Sequence, residues 1–174
     1  MSVISQKICL IGDFNVGKTS LVRRFVEDKF SDKYLTTVGV KISRKPITID
    51  SLAKQVNLLV WDIEGQTKQK SISTNYLKGA SGAVIVGDLT RINTLSSIQN
   101  HLQLFLEINP QGTITVALNK CDLVTQEKIE QLRELHNYNS ISQVINTYLT
   151  SAKTGDYVNQ MFQEIAVNIT ENIG

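Results

Sequence analysis

The segment at residues 12–19, GDFNVGKT, limits the folds open to this chain more than any other feature of the sequence. It matches the pattern GxxxxGK[ST], follows an apolar run typical of a strand at residues 7–12, and opens a segment with helical spacing. In that context the pattern indicates a P-loop, in which backbone N–H groups surround phosphate oxygens. We expect Lys18 to reach the β- and γ-phosphates of a nucleotide and Thr19 to ligate Mg²⁺. A glycine turn that only starts a helix would explain neither residue.

Apolar runs and amphipathic segments alternate along the rest of the chain, which predicts a doubly wound α/β fold with a mostly parallel sheet. The predicted strands are residues 7–12, 40–49, 55–62, 82–88, 113–119 and 144–149, and the second and third of them form an antiparallel pair. The predicted helices are residues 18–27, 67–77, 94–108, 126–136 and 155–169. We therefore expect a single domain over residues 1–174, with a sheet of about six strands, one of them antiparallel, and about five flanking helices.

The composition is ordinary for a soluble protein, with 41% hydrophobic and 20% charged residues. Up to Lys78 basic residues outnumber acidic ones by 13 to 7, which favours a phosphate ligand or an acidic partner on that half, unless the cations are only solvated. Cys9 and Cys121 form no CxxC motif, so we expect a reduced, cytoplasmic location. The sequence contains no membrane-spanning apolar run and no C-terminal cysteine for prenylation. We expect no membrane anchor in this chain, no nucleic-acid partner, and a monomer.

The motif NKCD, which runs from Asn119 to Asp122, follows the fifth predicted strand. A carboxylate only accepts hydrogen bonds, so Asp122 can take the ring N–H and the exocyclic amine of guanine, whereas adenine offers no such pair of donors. Lys120 would lie along the base, and Asn119 would tie this loop to the P-loop. The alternative is that Asp122 caps the next helix. Behind a buried strand in a P-loop protein, the motif predicts guanine specificity.

Two more motifs follow predicted strands. TSAK comes after the last one, where backbone N–H groups could meet the guanine O6, or where Ser151 could simply cap the final helix. WDIEGQ ends the third strand. There Asp62 can hold Mg²⁺ through water, the N–H of Gly65 can approach a γ-phosphate, and Gln66 can orient an attacking water. The alternative for this segment is a strand that ends in an ordinary turn.

The motifs GDFNVGKT, TTVGV, WDIEGQ, NKCD and TSAK have the order and separations of the Ras-like small GTPases, which the chain resembles over almost its entire length. YLTTVGV and YLKGA are most similar to switch segments of the Rab branch. The resemblance implies a P-loop GTPase fold, the G domain, that binds GTP or GDP with Mg²⁺. It also implies that Thr37 binds Mg²⁺ and senses the γ-phosphate, that Phe30 packs against guanine, that Tyr34 lies over the phosphates, and that Lys153 stands at the base pocket.

The residues and the resemblance together give a full set of expected contacts. The expected nucleotide contacts are Asn15, Val16, Gly17, Lys18, Thr19, Ser20, Phe30, Tyr34, Thr37, Gly65, Asn119, Lys120, Asp122, Ser151, Ala152 and Lys153. The expected Mg²⁺ ligands are Thr19, Thr37 and Asp62, and Gln66 is the expected catalytic residue. Effector and regulatory proteins are expected to bind the switch segments at residues 34–40 and 65–76.

Several positions depart from the family pattern. Phe14 stands where a small P-loop residue is usual, so its ring either crowds the γ-phosphate region or turns outward. Glu64 stands where Ala or Gly is usual, and a carboxylate beside a triphosphate costs on the order of 1 to 4 kcal/mol unless it swings away. Ile42 takes the place of the phenylalanine in the aromatic triad by which Rab proteins contact effectors, whereas Trp61 and Tyr76 match it.

Three functions are compatible with these motifs. The first is a GTP/GDP switch, and the second is a nucleotide-locked or non-hydrolysing scaffold in which Phe14 and Glu64 have disabled catalysis. The third, a P-loop kinase or ATPase, is disfavoured by Asp122 and by the lack of a lid or substrate domain. We expect hydrolysis on the order of 10⁻⁴ per second or slower, because Arg23 and Arg24 lie on the first helix and no arginine is expected beside the site.

Overall fold

In a computed structural model, which describes residues 3–33 and 36–173, the chain forms a six-stranded sheet with helices on both faces. The strands are β1 Val3–Gly12, β2 Val40–Ile49, β3 Lys54–Ile63, β4 Gly82–Asp88, β5 Thr113–Asn119 and β6 Val144–Leu149. In the described ranges the α-helices are α1 Lys18–Glu27, α2 Ile92–Ser96, α3 Ile98–Ile108, α4 Gln126–Leu135 and α5 Val158–Glu171. The α/β class and the six predicted strands are confirmed, and β1 begins four residues earlier than expected.

The strand order is β2-β3-β1-β4-β5-β6. All neighbouring pairs are parallel except β2 and β3, which are antiparallel and joined by the short 3₁₀ helix Asp50–Leu52. The predicted antiparallel pair is therefore confirmed. Strand β1 lies between β3 and β4 in the sheet. The chain connections from β1 and β3 therefore run to opposite sides of β1, and in such a sheet a crevice forms at the carboxyl ends of the strands.

Alternation along the strands divides the core into two layers. In β1, Ile8 and Leu10 face the helices α1 and α5, whereas Cys9 and Ile11 face α3 and α4. Every residue of the strands β4 and β5 is buried, as expected for central parallel strands that helices cover on both faces. The rigid centre of the sheet thus carries the loops at its carboxyl edge.

The predicted helix at residues 67–77 is wrong for the described chain. The segment forms bends, followed by the three-residue 3₁₀ helix Thr74–Tyr76. The hydroxyl of Thr67 accepts hydrogen bonds from the backbone N–H groups of Gln69 and Lys70 at 3.3 and 3.0 Å, and the N–H of Thr67 donates to Lys70 O at 2.9 Å. This local turn replaces the bonds that a helix would need.

The predicted helix at residues 94–108 begins earlier and is divided at Ser97 into the helices α2 and α3. The hydroxyls of Ser96 and Ser97 donate back to the carbonyls of Ile92 and Asn93, and such bonds bend a helix. The last helix begins at Val158 and not at residue 155. Within the described residues no helix combines the length and the apolar character that crossing a bilayer requires.

Candidate functional site

The P-loop connects β1 to α1 through two residues with positive φ, Asn15 at 63° and Gly17 at 102°. A Cβ on Gly17 would stand 2.3 Å from Asn119 Nδ2, so only glycine allows the loop of Asn119 to approach this closely. The buried Lys18 Nζ donates to Asp13 O at 3.0 Å and to Gly12 O at 3.4 Å. The loop therefore lies between a strand and a helix, as the sequence predicted.

The environment of the Lys18 ammonium favours an anion beside it. Burial lowers its pKa to about 8, and the charge of Arg91 acts in the same direction, whereas the carboxylates of Asp62 and Asp13 oppose this shift. A buried cation of this kind gains stability from a phosphate group placed beside it. The electrostatics thus agree with the motif.

A cavity of about 370 Å³ lies along the carboxyl edge of the sheet. It brings most of the predicted nucleotide contacts together, namely Asn15, Gly17, Lys18, Thr19, Ser20, Phe30, Thr37, Gly65, Asn119, Lys120, Asp122, Ala152 and Lys153. Val16 and Ser151 do not line the cavity, and both are fully buried. The prediction for Tyr34 lies outside the described residues. A volume of this size suits a nucleotide-sized ligand.

The three predicted Mg²⁺ ligands lie side by side. Thr19 Oγ1 is 2.6 Å from Thr37 Oγ1 and donates to Asp62 Oδ2 at 2.6 Å, while Thr37 Oγ1 donates to the same oxygen at 3.1 Å. Burial raises the pKa of Asp62, although the Thr19 bond and the Lys18 charge oppose it. Asp62 Oδ1 has no hydrogen-bond partner among the described residues. Hydroxyl and carboxylate oxygens in this arrangement fit a hard cation such as Mg²⁺, which would compensate the buried carboxylate.

The loop that follows β5 is bound to the P-loop, as predicted. Asn119 Nδ2 donates to Val16 O at 3.0 Å, and Lys120 Nζ donates to Asn15 O at 3.1 Å. Asp122 is exposed at the cavity, and its Oδ1 accepts a hydrogen bond from the buried Ser151 hydroxyl at 2.7 Å. The serine thus orients the carboxylate that is expected to recognise guanine.

The two helix-cap interpretations are wrong. Thr125 caps α4, since its side chain accepts a hydrogen bond from Lys128 N, and Asp122 lies three residues before this cap. The cap residue of α5 is Tyr157, six residues after Ser151. Neither polar side chain begins a helix; Ser151 Oγ accepts a hydrogen bond from Thr154 N at 3.1 Å in the loop that precedes α5.

Arg24 lies on α1, as expected, and does not line the cavity, but its side chain reaches the loop after β6. Arg24 Nε donates to Ala152 O at 2.9 Å, and its Nη2 donates to Lys153 O at 2.7 Å. The side chain therefore fixes the loop after β6 from the adjacent helix α1. The spacing of apolar residues in α1 indicates only that Arg24 does not lie on the apolar face of the helix. No pattern in the sequence connects Arg24 with a loop almost 130 residues away.

Gly65 and Gln66 lie directly against the P-loop. Gln66 N donates to Gly12 O at 3.1 Å, and Phe14 N donates to Gln66 O at 2.9 Å, so the two segments form a short parallel bridge. A Cβ on Gly65 would stand 2.6 Å from Phe14 Cα, which explains the glycine. The Gln66 residue is not part of the cavity wall formed by the described residues. Its role in orienting water stays a prediction.

The two unusual residues have different surroundings. Phe14 lines the cavity and is 39% exposed, so its ring takes part in the wall and also meets solvent. Glu64 is turned toward the first switch segment, and its Oε2 accepts from Gly39 N at 3.1 Å and from Lys70 Nζ at 2.7 Å. The Lys70 bond and then the Gly39 bond lower the pKa of Glu64. In this structure the carboxylate is thus bound to the first switch segment and to Lys70, and its position when GTP is bound stays a prediction.

Sequence analysis also missed an arginine that reaches the P-loop. Arg91 Nη2 donates to Phe14 O at 2.8 Å, and its Nε donates to the buried Asp88 carboxylate at 3.1 Å. A third missed residue, His101 on α3, contacts Asp13. Among the described residues no arginine lines the cavity, but Arg91 contacts the P-loop from outside it.

The comparison with known families decides the identity. The sequence model of the Ras family matches residues 7–171. The chain belongs to the Ras family. It is a P-loop GTPase with the G-domain fold, it binds GTP or GDP with Mg²⁺, and it acts as a GTP/GDP switch with GTPase activity. The non-hydrolysing scaffold is not favoured.

Relatives of this Ras-family chain include several Rab proteins. The Ras-related protein Rab-13 of Canis lupus familiaris is 36% identical over 94% of this chain and 79% of its own length. The Ras-related protein SEC4 of Candida albicans is 34% identical over 97% of this chain and 81% of its own length. The GTP-binding protein ypt5 of Schizosaccharomyces pombe is 34% identical over 94% and 77%. The predicted likeness to the Rab branch is confirmed.

Proposed function

We propose that this Ras-family GTPase binds its guanine nucleotide in the cavity at the carboxyl edge of the sheet, with the residue roles given in the sequence analysis. The observation that carries the proposal is that one cavity is lined both by the ammonium and hydroxyl groups of Lys18, Thr19 and Thr37 and by the carboxylate of Asp122. A phosphate chain with its cation beside the first three groups and a guanine base beside Asp122 would satisfy all of them.

The proposed mechanism follows from the switch segments. Thr37 and Gly65 stand beside the proposed phosphate end, so a γ-phosphate with Mg²⁺ would hold both, and hydrolysis would release both. Gln66 is proposed to orient the attacking water. Arg91 is bonded to Phe14 O and Asp88, so its guanidinium supports the loop, and we retain the expectation of slow intrinsic hydrolysis, on the order of 10⁻⁴ per second or below.

We propose that effector and regulatory proteins bind the switch segments beside an exposed part of the sheet. Ile42 on β2 is 51% exposed and pairs with Trp61 on β3, while Lys7 Nζ lies 3.6 Å from the centroid of the Trp61 ring. A partner there would meet an aliphatic residue and a cation where the aromatic triad is incomplete. Proteins captured by the form loaded with a GTP analogue, and not by the GDP form, would test this surface.

We further propose that residues 1–174 act as one G domain, as a monomer and in the cytoplasm. Support comes from the free cysteines, Cys9 and Cys121, which suit a reducing compartment. Sedimentation at several protein concentrations tests the monomer, and cell fractionation tests the location.

Base specificity gives the direct test of the proposed site. Asp122→Asn replaces an acceptor by a donor, which mismatches the guanine amine but matches the carbonyl of xanthine. Each charge-assisted bond contributes about 1.5 to 3 kcal/mol, so we expect GDP affinity to fall at least about a hundredfold while xanthosine diphosphate gains affinity. Competition titrations of both nucleotides measure this, with the exposed Asp50→Asn as a matched control. Unchanged GDP affinity in the Asp122 variant would refute the proposed orientation of the nucleotide.

A further inference from the structure

The P-loop carries a strained residue whose two flanking carbonyl groups are both held from outside. Asn15 has a φ of 63°, a left-handed conformation that is unfavourable for most residues with a side chain. The carbonyl before it, Phe14 O, accepts a hydrogen bond from Arg91 Nη2 at 2.8 Å. The carbonyl after the Asn15 Cα, its own O, accepts one from Lys120 Nζ at 3.1 Å. Two cations thus stabilise the strained turn from both sides.

A single carboxylate fixes both cations. Asp88 Oδ2 accepts from Lys120 Nζ at 2.7 Å and from Arg91 Nε at 3.1 Å, and Oδ1 accepts from the N–H and the hydroxyl of Thr90 at 2.9 and 2.6 Å. The Asp88 side chain is 1% exposed at the end of β4. Burial opposes its ionisation, but the hydrogen bonds from Lys120 and Thr90 outweigh burial and lower the pKa of Asp88. The carboxylate therefore stays charged at neutral pH.

The direction of the Phe14 carbonyl determines the direction of the next N–H group. In a trans peptide the C=O and the N–H point in opposite directions, and the described chain contains no cis peptide. Arg91 holds the carbonyl of Phe14 on its own side, so the N–H of Asn15 points to the other side. Asn15 lines the cavity, and the N–H groups of a P-loop are its phosphate contacts.

We propose that Asp88 and Arg91 are positioning residues for the diphosphate of the nucleotide. Asp88 orients Arg91, Arg91 orients the peptide between Phe14 and Asn15, and the N–H of Asn15 is thereby presented to the β-phosphate. The inference rests on the proposed function, since the turn has this role only when the cavity holds the nucleotide. A positioning role differs from a general structural role, because an arginine that only stabilised the fold would change the affinity of all ligands of the site by the same factor.

The test compares GDP with GMP, which has the same base, ribose and α-phosphate but lacks the β-phosphate. For Arg91→Gln we expect the Kd of GDP to rise about tenfold, as the loss of one charge-assisted bond allows. The Kd of GMP should change less than about twofold, because no β-phosphate is present. Arg133→Gln, which removes an exposed arginine on α4, is the matched control and should change neither constant.

Two more variants test whether Asp88 acts through Arg91 on the carbonyl group of Phe14. Arg91→Lys keeps the charge but not the fork that bridges Asp88 and Phe14 O, so it should recover less than about half of the lost affinity. Asp88→Asn should weaken GDP binding at least as much as Arg91→Gln, and the double variant should be no weaker than Asp88→Asn alone, because Arg91 acts through Asp88.

Each alternative result overturns the inference. Equal losses for GDP and GMP would show only general structural support, and unchanged GDP affinity would show no role. Full recovery of GDP affinity by Arg91→Lys would show that the positive charge alone is sufficient. Additive losses of GDP affinity in the double variant would show that Arg91 does not act through Asp88. If the parent protein bound no GDP at all, the proposed function would fail instead. Urea midpoints of each variant confirm that the comparison is made between folded proteins.

Discussion

One partly buried carboxylate in the P-loop illustrates how single residues connect distant parts of this GTPase. His101 Nε2 on α3 lies 2.8 Å from Asp13 Oδ1, and the two side chains are 1% and 16% exposed. Burial opposes the ionisation of Asp13, but the hydrogen bonds from His101 and Ser97 outweigh it, and the pKa of Asp13 is lowered. Ionised Asp13 thus joins the P-loop to α3.

The Asp13 contact predicts a pH-dependent part of the stability. We expect Asp13→Asn to lower the free energy of unfolding by about 1 to 2 kcal/mol at pH 7. The pKa of Asp13 is lower in the folded than in the unfolded chain, so the stabilisation is complete above the unfolded value, about 4, and is lost as the pH falls through the folded value. Urea midpoints of parent and variant should therefore converge below about pH 4. Asp50→Asn is the control, and a constant gap over this pH range would contradict the assignment.

Residues whose role lies within one motif could be predicted from the sequence, whereas residues that bridge motifs could not. Thr19, Asp62 and Asp122 stand at fixed places in recognisable segments. The structure places Thr19 and Asp122 on the wall of one cavity and Asp62 in contact with Thr19, and their roles toward the nucleotide stay predictions. Arg24 and Arg91 act on carbonyl groups far away in the sequence. Their contacts depend on how helices pack against loops, and local spacing carries no information about this.

At the scale of elements, the second switch segment is where the structure differs from the helix that the sequence predicted. Apolar residues near helical spacing predicted a helix at residues 67–77, but the only fully or largely buried apolar residues of this segment in the described chain are Ile72 and Leu77. Two anchors do not make an apolar stripe that could pack a helix against the core. The local turn at Thr67 and the Glu64–Lys70 ion pair determine the path of the chain instead.

The ion pair at Glu64 predicts a local change in dynamics. Glu64→Ala removes the acceptor for Gly39 N and Lys70 Nζ, so we expect faster amide hydrogen exchange at residues 36–41 and 67–73, by about threefold to tenfold. The rest of the chain should exchange as before. Glu107→Ala on α3, an exposed position, is the control. Equal exchange in the parent and the Glu64 variant would mean that the backbone alone holds the two segments together.

At the scale of the whole molecule, the sheet separates two cores that do not contribute equally to the site. The core beneath α1 and α5 contains the stacked rings of Phe25 and Phe162, with centroids 4.2 Å apart and an interplanar angle of 11°. Helix α1 begins in the P-loop, so this core fixes the helix that presents Lys18 and Thr19. The stability of one packing layer therefore supports nucleotide binding.

Phe162→Ala tests how much this core contributes to the stability of the protein. The ring is fully buried, so we expect a loss of about 3 to 5 kcal/mol in the free energy of unfolding. Leu135→Ala, at a position that is 76% exposed, should change it by less than about 0.5 kcal/mol. Urea denaturation without nucleotide measures both. A loss below about 1 kcal/mol for Phe162→Ala would mean that the layer can collapse around the cavity.

The hydrogen bonds of Glu64 have a consequence for the information that this GTPase can convey. One carboxylate oxygen accepts from Gly39 in the first switch segment and from Lys70 in the second. While both bonds are present, the two segments are joined through one side chain, so a movement of one is passed to the other. Two partners that bind different segments would therefore sense the same change.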